Sequence, residues 1–113
     1  MTILKKEVIQ TFSPFNEMPD SLQAQLAAKA EIIFVEPGGL ILKKTRDAQY
    51  VHYLIRGEIE VRSSFFERFS FDHDDDRANF SLEDMAGRNA QVSATNNCRV
   101  ARFELADIDA ATS

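Results

Sequence analysis

The chain has 113 residues, of which 44% are hydrophobic and 27% charged, and its formal net charge is -5 at pH 7. This length allows one domain with one hydrophobic core, and the composition excludes a disordered tail. The negative charge repels phosphate polymers, so we expect no nucleic acid as a partner.

The sequence pattern contains no targeting or membrane segment. No apolar run approaches the roughly 20 residues that cross a bilayer, and Met1–Gln10 lacks the long apolar core of a secretory signal. Cys98 is the only cysteine, so we expect neither an intrachain disulfide nor a zinc cluster. These features predict a reducing, cytoplasmic setting without a membrane partner.

The first predicted element is a short amphipathic helix. It follows Pro19, and Asp20 or Ser21 is the expected N-cap, because short polar side chains accept hydrogen bonds from the first turn. Its apolar positions are Leu22, Leu26 and Ala30.

Three strands are predicted next. The β-branched and aromatic run at Ile32–Val35 ends at Pro37-Gly38-Gly39, where proline and glycine favour a turn. Leu40–Leu42 starts a second strand, the polar stretch Lys43–Gln49 is typical of a loop, and Tyr50–Ile55 is the third strand.

Gly57 separates that strand from another. Ile59 and Val61 alternate with charged residues, which is the pattern of a strand with one buried face. We therefore predict a tight hairpin at Gly57, where a missing Cβ permits a positive φ.

The second half of the chain contains a dense group of aromatic residues: Phe65, Phe66, Phe69 and Phe71. These predict a strand with a bulge, the alternative being a helical turn. The rings are expected to belong to the core, the alternative being an exposed apolar patch for a partner. Asp72–Arg77 is predicted to be an exposed loop.

Two final strands are predicted around Val92 and Ala94 and then around Val100, Ala101 and Phe103. Leu105–Ser113 is predicted to begin a helix. The element order predicts a mainly β fold, a jelly-roll double-sheet sandwich with a short N-terminal helix. We expect one domain, with a helical segment at 1–30, the jelly roll at 31–104 and the start of a C-terminal helix at 105–113.

Four segments together resemble the cyclic nucleotide-binding domain family. They are Leu26–Ala30, Glu36-Pro37-Gly38, the run Tyr53–Val61 around Gly57, and Arg88–Ala94. The likeness extends from about Phe12 to Leu105 and implies the family's jelly roll and a regulatory, signal-transducing role. It also implies that Arg88, with Asn89 and Ala90, holds the phosphate of a cyclic nucleotide such as cyclic AMP (cAMP) or cyclic GMP (cGMP).

The chain departs from the family's pattern where the ribose is normally bound. The family's glycine-glutamate pair is absent, and residues 78–81 read Ala-Asn-Phe-Ser instead. Asn79 and Glu83 are the residues left to contact the sugar. A lost hydrogen bond to a charged acceptor costs about 1.5 to 3 kcal/mol, so the resemblance implies weak binding.

Arg88 also suits an anion on chemical grounds, because its planar guanidinium can donate two parallel hydrogen bonds to the anion. The preceding Gly87 lets backbone N–H groups approach the same anion. The alternative is a solvated arginine after a turn.

The acidic segment matches part of a calcium-loop template. Asp72, Asp74, Asp76 and Glu83 occupy positions one, three, five and twelve, but Arg77 occupies the position that requires glycine. The alternative is a solvated acidic loop, and we expect no specific metal.

No catalytic residue is predicted. His52 lies in an apolar strand pattern and His73 in the acidic segment, so no histidine pair forms a metal enzyme site. No nucleophile has a local signature with a base.

Three functions remain open from the sequence. The first is a regulatory domain that senses a cyclic nucleotide or another small anion near Arg88 and signals to a downstream effector domain. The second is a ligand-free jelly roll used for homodimer formation or protein docking. The third is a calcium-responsive module. We expect no enzyme and no cofactor other than the nucleotide ligand.

Overall fold

The computed structural model describes residue 4 and residues 6–13, 15–42, 49–62, 68–83 and 90–112. The described helices are α1 (Lys6–Ile9), α2 (Asp20–Lys29) and α3 (Leu105–Thr112), with 3₁₀ helices at Phe15–Glu17 and Asp76–Asn79. The strands are β1 (Glu31–Val35), β2 (Leu40–Leu42), β3 (Tyr50–Arg56), β4 (Glu58–Arg62), β5 (Arg68–Asp72), β6 (Gln91–Ala94) and β7 (Cys98–Glu104). None of the described helices has both the length and the apolar character needed to cross a membrane.

The strands form two antiparallel sheets. One has three strands in the order β1-β7-β3, and the other has four in the order β2-β6-β4-β5. The mainly β, double-sheet jelly roll predicted from the strand pattern is confirmed.

The three-stranded sheet is covered on both faces. Along β3, Leu54 points into the core between the sheets, whereas Tyr53 points to the opposite face. Along β7, Val100 likewise points into the core between the sheets and Ala101 points to the opposite face. This alternation follows from the period-two geometry of a strand, and it creates a second core beneath the helices.

Aromatic rings fill that second core. The Tyr53 ring stacks on Phe12 with centroids 4.6 Å apart, and Phe15 lies 4.7 Å from Phe103. The Tyr53 hydroxyl donates to the Ser13 carbonyl oxygen at 2.7 Å. The N-terminal segment is thereby held to the sheet by ring packing and a hydrogen bond.

The predicted hairpin at Gly57 is wrong, although the predicted positive φ is confirmed at 109°. β3 pairs with β7, whereas β4 pairs with β5 and β6, so Gly57 is a corner between the two sheets. The alternating pattern on both sides of a glycine does not show which strands become neighbours.

Cys98 packs against this corner and is a buried, free thiol. Its Sγ donates to the Glu58 carbonyl oxygen at 3.2 Å. Burial raises the pKa of the Cys98 thiol.

Helix α2 begins one or two residues earlier than the sequence predicts. Pro19, not Asp20 or Ser21, occupies the N-cap, and its carbonyl accepts from the N–H groups of Leu22 and Gln23. The proline has an extended backbone, which leaves Asp20 in the first turn, where a negative charge favours the helix dipole.

The acidic segment is more structured than predicted, since Asp72 ends β5 and Asp76 and Arg77 belong to a 3₁₀ helix. The strand containing Phe69 and Phe71 is confirmed, and both rings pack against the core between the sheets. Phe65, Phe66 and residues 43–48 lie outside the described residues.

Candidate ligand site beside strand β6

The segment that contains Arg88 is anchored at both ends. Leu82 before it is fully buried, Ala90 after it is 1% exposed, and both belong to the core between the two sheets. Val92 of β6 continues the same core. The described residues on both sides of this segment are therefore buried in the same core.

Of the three predicted phosphate-binding residues, the structure describes Ala90 but not Arg88 or Asn89. Arg88 and Asn89 fall in residues 84–89, which lie outside the described residues, so their role stays a prediction. Ala90 is described, and its methyl group packs in the core. Any contact that Ala90 makes with a phosphate would come from its backbone.

Glu83 bonds to strand β3. Its carboxylate accepts from the backbone N–H of His52 at 2.8 Å and lies 2.6 Å from His52 Nδ1. Both side chains are largely buried, with 13% of His52 and 15% of Glu83 exposed. A carboxylate has about four lone-pair positions. The two contacts with His52 leave lone pairs of the Glu83 carboxylate that can accept from a sugar hydroxyl. The role of Glu83 in ribose binding stays a prediction.

We expect Glu83→Gln to lower the free energy of unfolding by about 1 to 2 kcal/mol. The amide oxygen still accepts from the His52 backbone, but the charged partner of Nδ1 is lost. A double-mutant cycle with His52→Gln, followed by urea unfolding, should give a coupling free energy of about 1 kcal/mol. Glu60→Gln is the matched control, because the Glu60 carboxylate pairs with exposed arginines. Additive effects of the two substitutions would show that the pair is not coupled.

Arg102 brings a positive charge to the same end of the three-stranded sheet. It is the register partner of His52, so their side chains share a face. Its Nη2 donates to Glu31, and its guanidinium lies 4.6 Å from the Tyr50 ring centroid. Its Nε is buried and has no acceptor among the described residues. Arg102 therefore lies across the strand pair from His52 and keeps one N–H donor without an acceptor among the described residues.

Asn79 lines a cavity beside the N-terminal helices. It ends the second 3₁₀ helix, and its carbonyl accepts from the Ser13 N–H at 2.7 Å. With Phe12 and His73 it lines a cavity of about 220 Å³ beneath the N-terminal helices. Its predicted contact with a ribose remains untested.

The acidic turn is organised by its own hydrogen bonds. Asp72 accepts from the Asp74 N–H at 3.0 Å, and Asp75 accepts from the backbone and side chain of Arg77. The hydrogen bonds from Arg77 lower the pKa of Asp75 to about 2. Within the described ranges, no three acidic, histidine or cysteine side chains form a metal-binding group.

Sequence reasoning missed His52 and Arg102 as members of this site. His52 resembled an ordinary strand residue, and Arg102 is one of several charged residues in β7. The only signal available was a polar side chain at an inward position of an otherwise apolar strand.

The likeness of this chain to known proteins lies in its fold. No family model and no curated protein matches the chain. The sensor domain of the transcriptional regulator DNR from Pseudomonas aeruginosa matches with a TM-score of 0.76 and 14% identity, over 96% of this chain and 80% of that chain. A cyclic nucleotide-binding-like protein from Brucella abortus matches with a TM-score of 0.72 and 16% identity, over 95% of this chain and 96% of that one.

A third similar structure is the regulatory domain of Toxoplasma gondii PKA with cAMP. Its TM-score is 0.70 at 15% identity, and the match covers 96% of this chain but 44% of that chain. This chain therefore spans less than half of the Toxoplasma domain and about four fifths of the Pseudomonas domain. The two antiparallel sheets and these likenesses lead to one conclusion: the chain has the fold of cyclic nucleotide-binding domains.

Proposed function

We propose that the chain is a ligand-sensing regulatory domain that binds cAMP weakly beside strand β6, with Arg88 as the main phosphate-binding residue. The ligand would lie against the segment between Leu82 and Ala90. Asn89 and the Ala90 backbone would assist Arg88, and Glu83 or Asn79 would contact the ribose. An effector domain downstream would receive the signal, as a regulatory role implies.

One observation carries the proposal: the segment containing Arg88 is anchored at Leu82 and Ala90 in the core of a fold that matches cyclic nucleotide-binding domains. Such anchoring favours ligand binding, because fixed flanking residues lower the conformational entropy lost when an anion binds. Arg102, the register partner of His52, keeps a buried Nε–H without an acceptor among the described residues.

Binding should be weak because the sugar lacks its usual partner. Ser81 stands among the residues that replace the glycine-glutamate pair, and its side chain is buried. Glu83, the nearest downstream carboxylate, already bonds to His52. Without a full set of ribose contacts, the affinity depends mainly on charge.

The test is calorimetric titration of the whole chain with cAMP at two salt concentrations. We expect a Kd no tighter than tens of micromolar, about -6 to -7 kcal/mol, and a marked loss of affinity at high salt, since exposed ion pairs are screened. Arg88→Ala should abolish binding. The response to cGMP should be equal or undetectable.

The matched control is Arg62→Ala, which removes an exposed arginine from β4 and should leave the affinity unchanged. Circular dichroism of each variant verifies the fold. Submicromolar binding of either nucleotide, or unchanged affinity in Arg88→Ala, would contradict the proposed site. Tight binding lost in Glu83→Gln or Asn79→Ala would show that one of these residues replaces the missing glutamate.

A further inference from the structure

Three exposed side chains form a row across the three-stranded sheet. The strand register pairs Phe34 of β1 with Arg99 of β7, and Arg99 with Arg56 of β3. The Arg99 guanidinium lies 5.2 Å from the Phe34 ring centroid. We call these three residues the Phe-Arg row.

The row lies at the end of the sheet that the helices do not cover. Phe34 is 61% exposed, the largest value among the exposed large hydrophobic side chains of the described residues, and both arginines are exposed. A cavity of about 310 Å³ adjoins it and is also lined by Val35, Asn97 and Cys98. An exposed aromatic ring beside arginines is the composition enriched at the centres of protein interfaces.

The positive charge of the row is not neutralised within the described part of the chain. Arg62, Arg68, Arg77 and Arg102 each pair with a carboxylate, as does Lys29. Arg56 and Arg99 form no such pair, although Glu36 lines the same cavity. Like charges directly opposite each other destabilise a sheet. The Arg56–Arg99 pair therefore carries a repulsion that no carboxylate ion pair among the described residues neutralises.

The row is separate from the proposed nucleotide site. Ala90 precedes β6, whereas the row lies beyond the turn at residues 95–97 that follows β6. The four residues of β6 place roughly 13 Å of strand between the two ends. The proposed nucleotide site and the Phe-Arg row therefore lie beyond opposite ends of β6.

We propose that the Phe-Arg row docks an acidic segment of a partner protein, with carboxylates on Arg99 and Arg56 and an apolar side chain on Phe34. Charge complementarity selects this occupant, because the row is a cationic patch on a chain with a net charge of -5. The row spans two strand spacings, roughly 10 Å, so a short peptide contacts all three residues whereas an acetate-sized anion does not.

The probe is the acetylated peptide amide Asp-Glu-Phe-Asp-Glu, titrated into the full chain at low salt with detection by NMR. We expect a Kd of about 100 µM. The neutral peptide Asn-Gln-Phe-Asn-Gln should bind at least about tenfold more weakly, since both carboxylate contacts are lost. Phe34→Ala and Arg99→Gln should each weaken binding about fivefold or more. Arg62→Gln on the other sheet should not change it.

Thermal unfolding gives an independent measurement. Arg56→Gln should raise the melting temperature, because it removes the uncompensated repulsion from Arg99. A lowered melting temperature would show that Arg56 has a structural partner and would contradict the docking role.

Three further outcomes would overturn the proposal. The first is absence of peptide binding at millimolar concentration. The second is benzoate binding as tightly as the peptide, which would indicate a small-molecule site in the cavity. The third is a dimer, detected by sedimentation and lost in Phe34→Ala, that excludes the peptide, because a second copy of the chain would then be the occupant.

Discussion

Replacement of Gly57 by alanine is expected to lower the free energy of unfolding by about 3 kcal/mol. The φ of this residue is 109°, a conformation that residues with a side chain rarely adopt. An added Cβ would lie 2.7 Å from the Asn97 carbonyl oxygen and 2.7 Å from Cys98 Sγ. Backbone strain and overlap therefore act together at a corner that connects the two sheets. Urea unfolding of the two proteins measures the difference.

Gly38 is the matched control for this experiment. Its φ is also positive, at 85°, but an added Cβ would meet nothing within 4 Å. Gly38→Ala therefore isolates backbone strain, which we expect to cost about 1 kcal/mol. Equal losses in the two variants would show that the close approach at Gly57 contributes nothing.

Truncation of Leu82 to alanine is also expected to cost about 3 kcal/mol. Leu82 is 0% exposed and packs in the core between the sheets, immediately before Glu83. Its loss leaves a cavity and releases one of the two anchors of the segment that contains Arg88. Thermal or urea unfolding measures the stability, and cAMP titration of the still folded variant should show a further loss of affinity.

Leu40→Ala is the control for Leu82, because Leu40 is 48% exposed on the short strand β2. It should lower the free energy of unfolding by less than about 1 kcal/mol. If Leu82→Ala cost no more than Leu40→Ala, the segment before Arg88 would not be anchored in the core.

Local sequence patterns predicted most of the strands. A β-branched and aromatic run that ends at proline and glycine marked β1, the short apolar run after Gly39 marked β2, and alternation marked β4. The positive φ of Gly57 followed from the absence of a Cβ. Because strand propensity and turn chemistry act over a few neighbouring residues, they are readable without knowledge of the rest of the chain.

The pairing of strands could not be derived in this way. After Gly57, β4 could pair with β3 as a hairpin or belong to the other sheet. The outcome depends on the strand that pairs with β3, which is β7, far along the chain. Register with distant strands is a tertiary property, so the hairpin predicted at Gly57 was replaced by a corner.

The sequence by itself determined that this protein is mainly β, because strand length, alternation and turn residues are local and numerous. Tertiary structure alone decided which polar groups meet. Glu83 reaches His52 across 31 positions, and Arg102 joins them through strand register. The Phe-Arg row likewise takes one residue from each of three strands. Charges that neighbour each other only after folding leave no periodic signal, since their positions in the chain are set by topology and not by spacing.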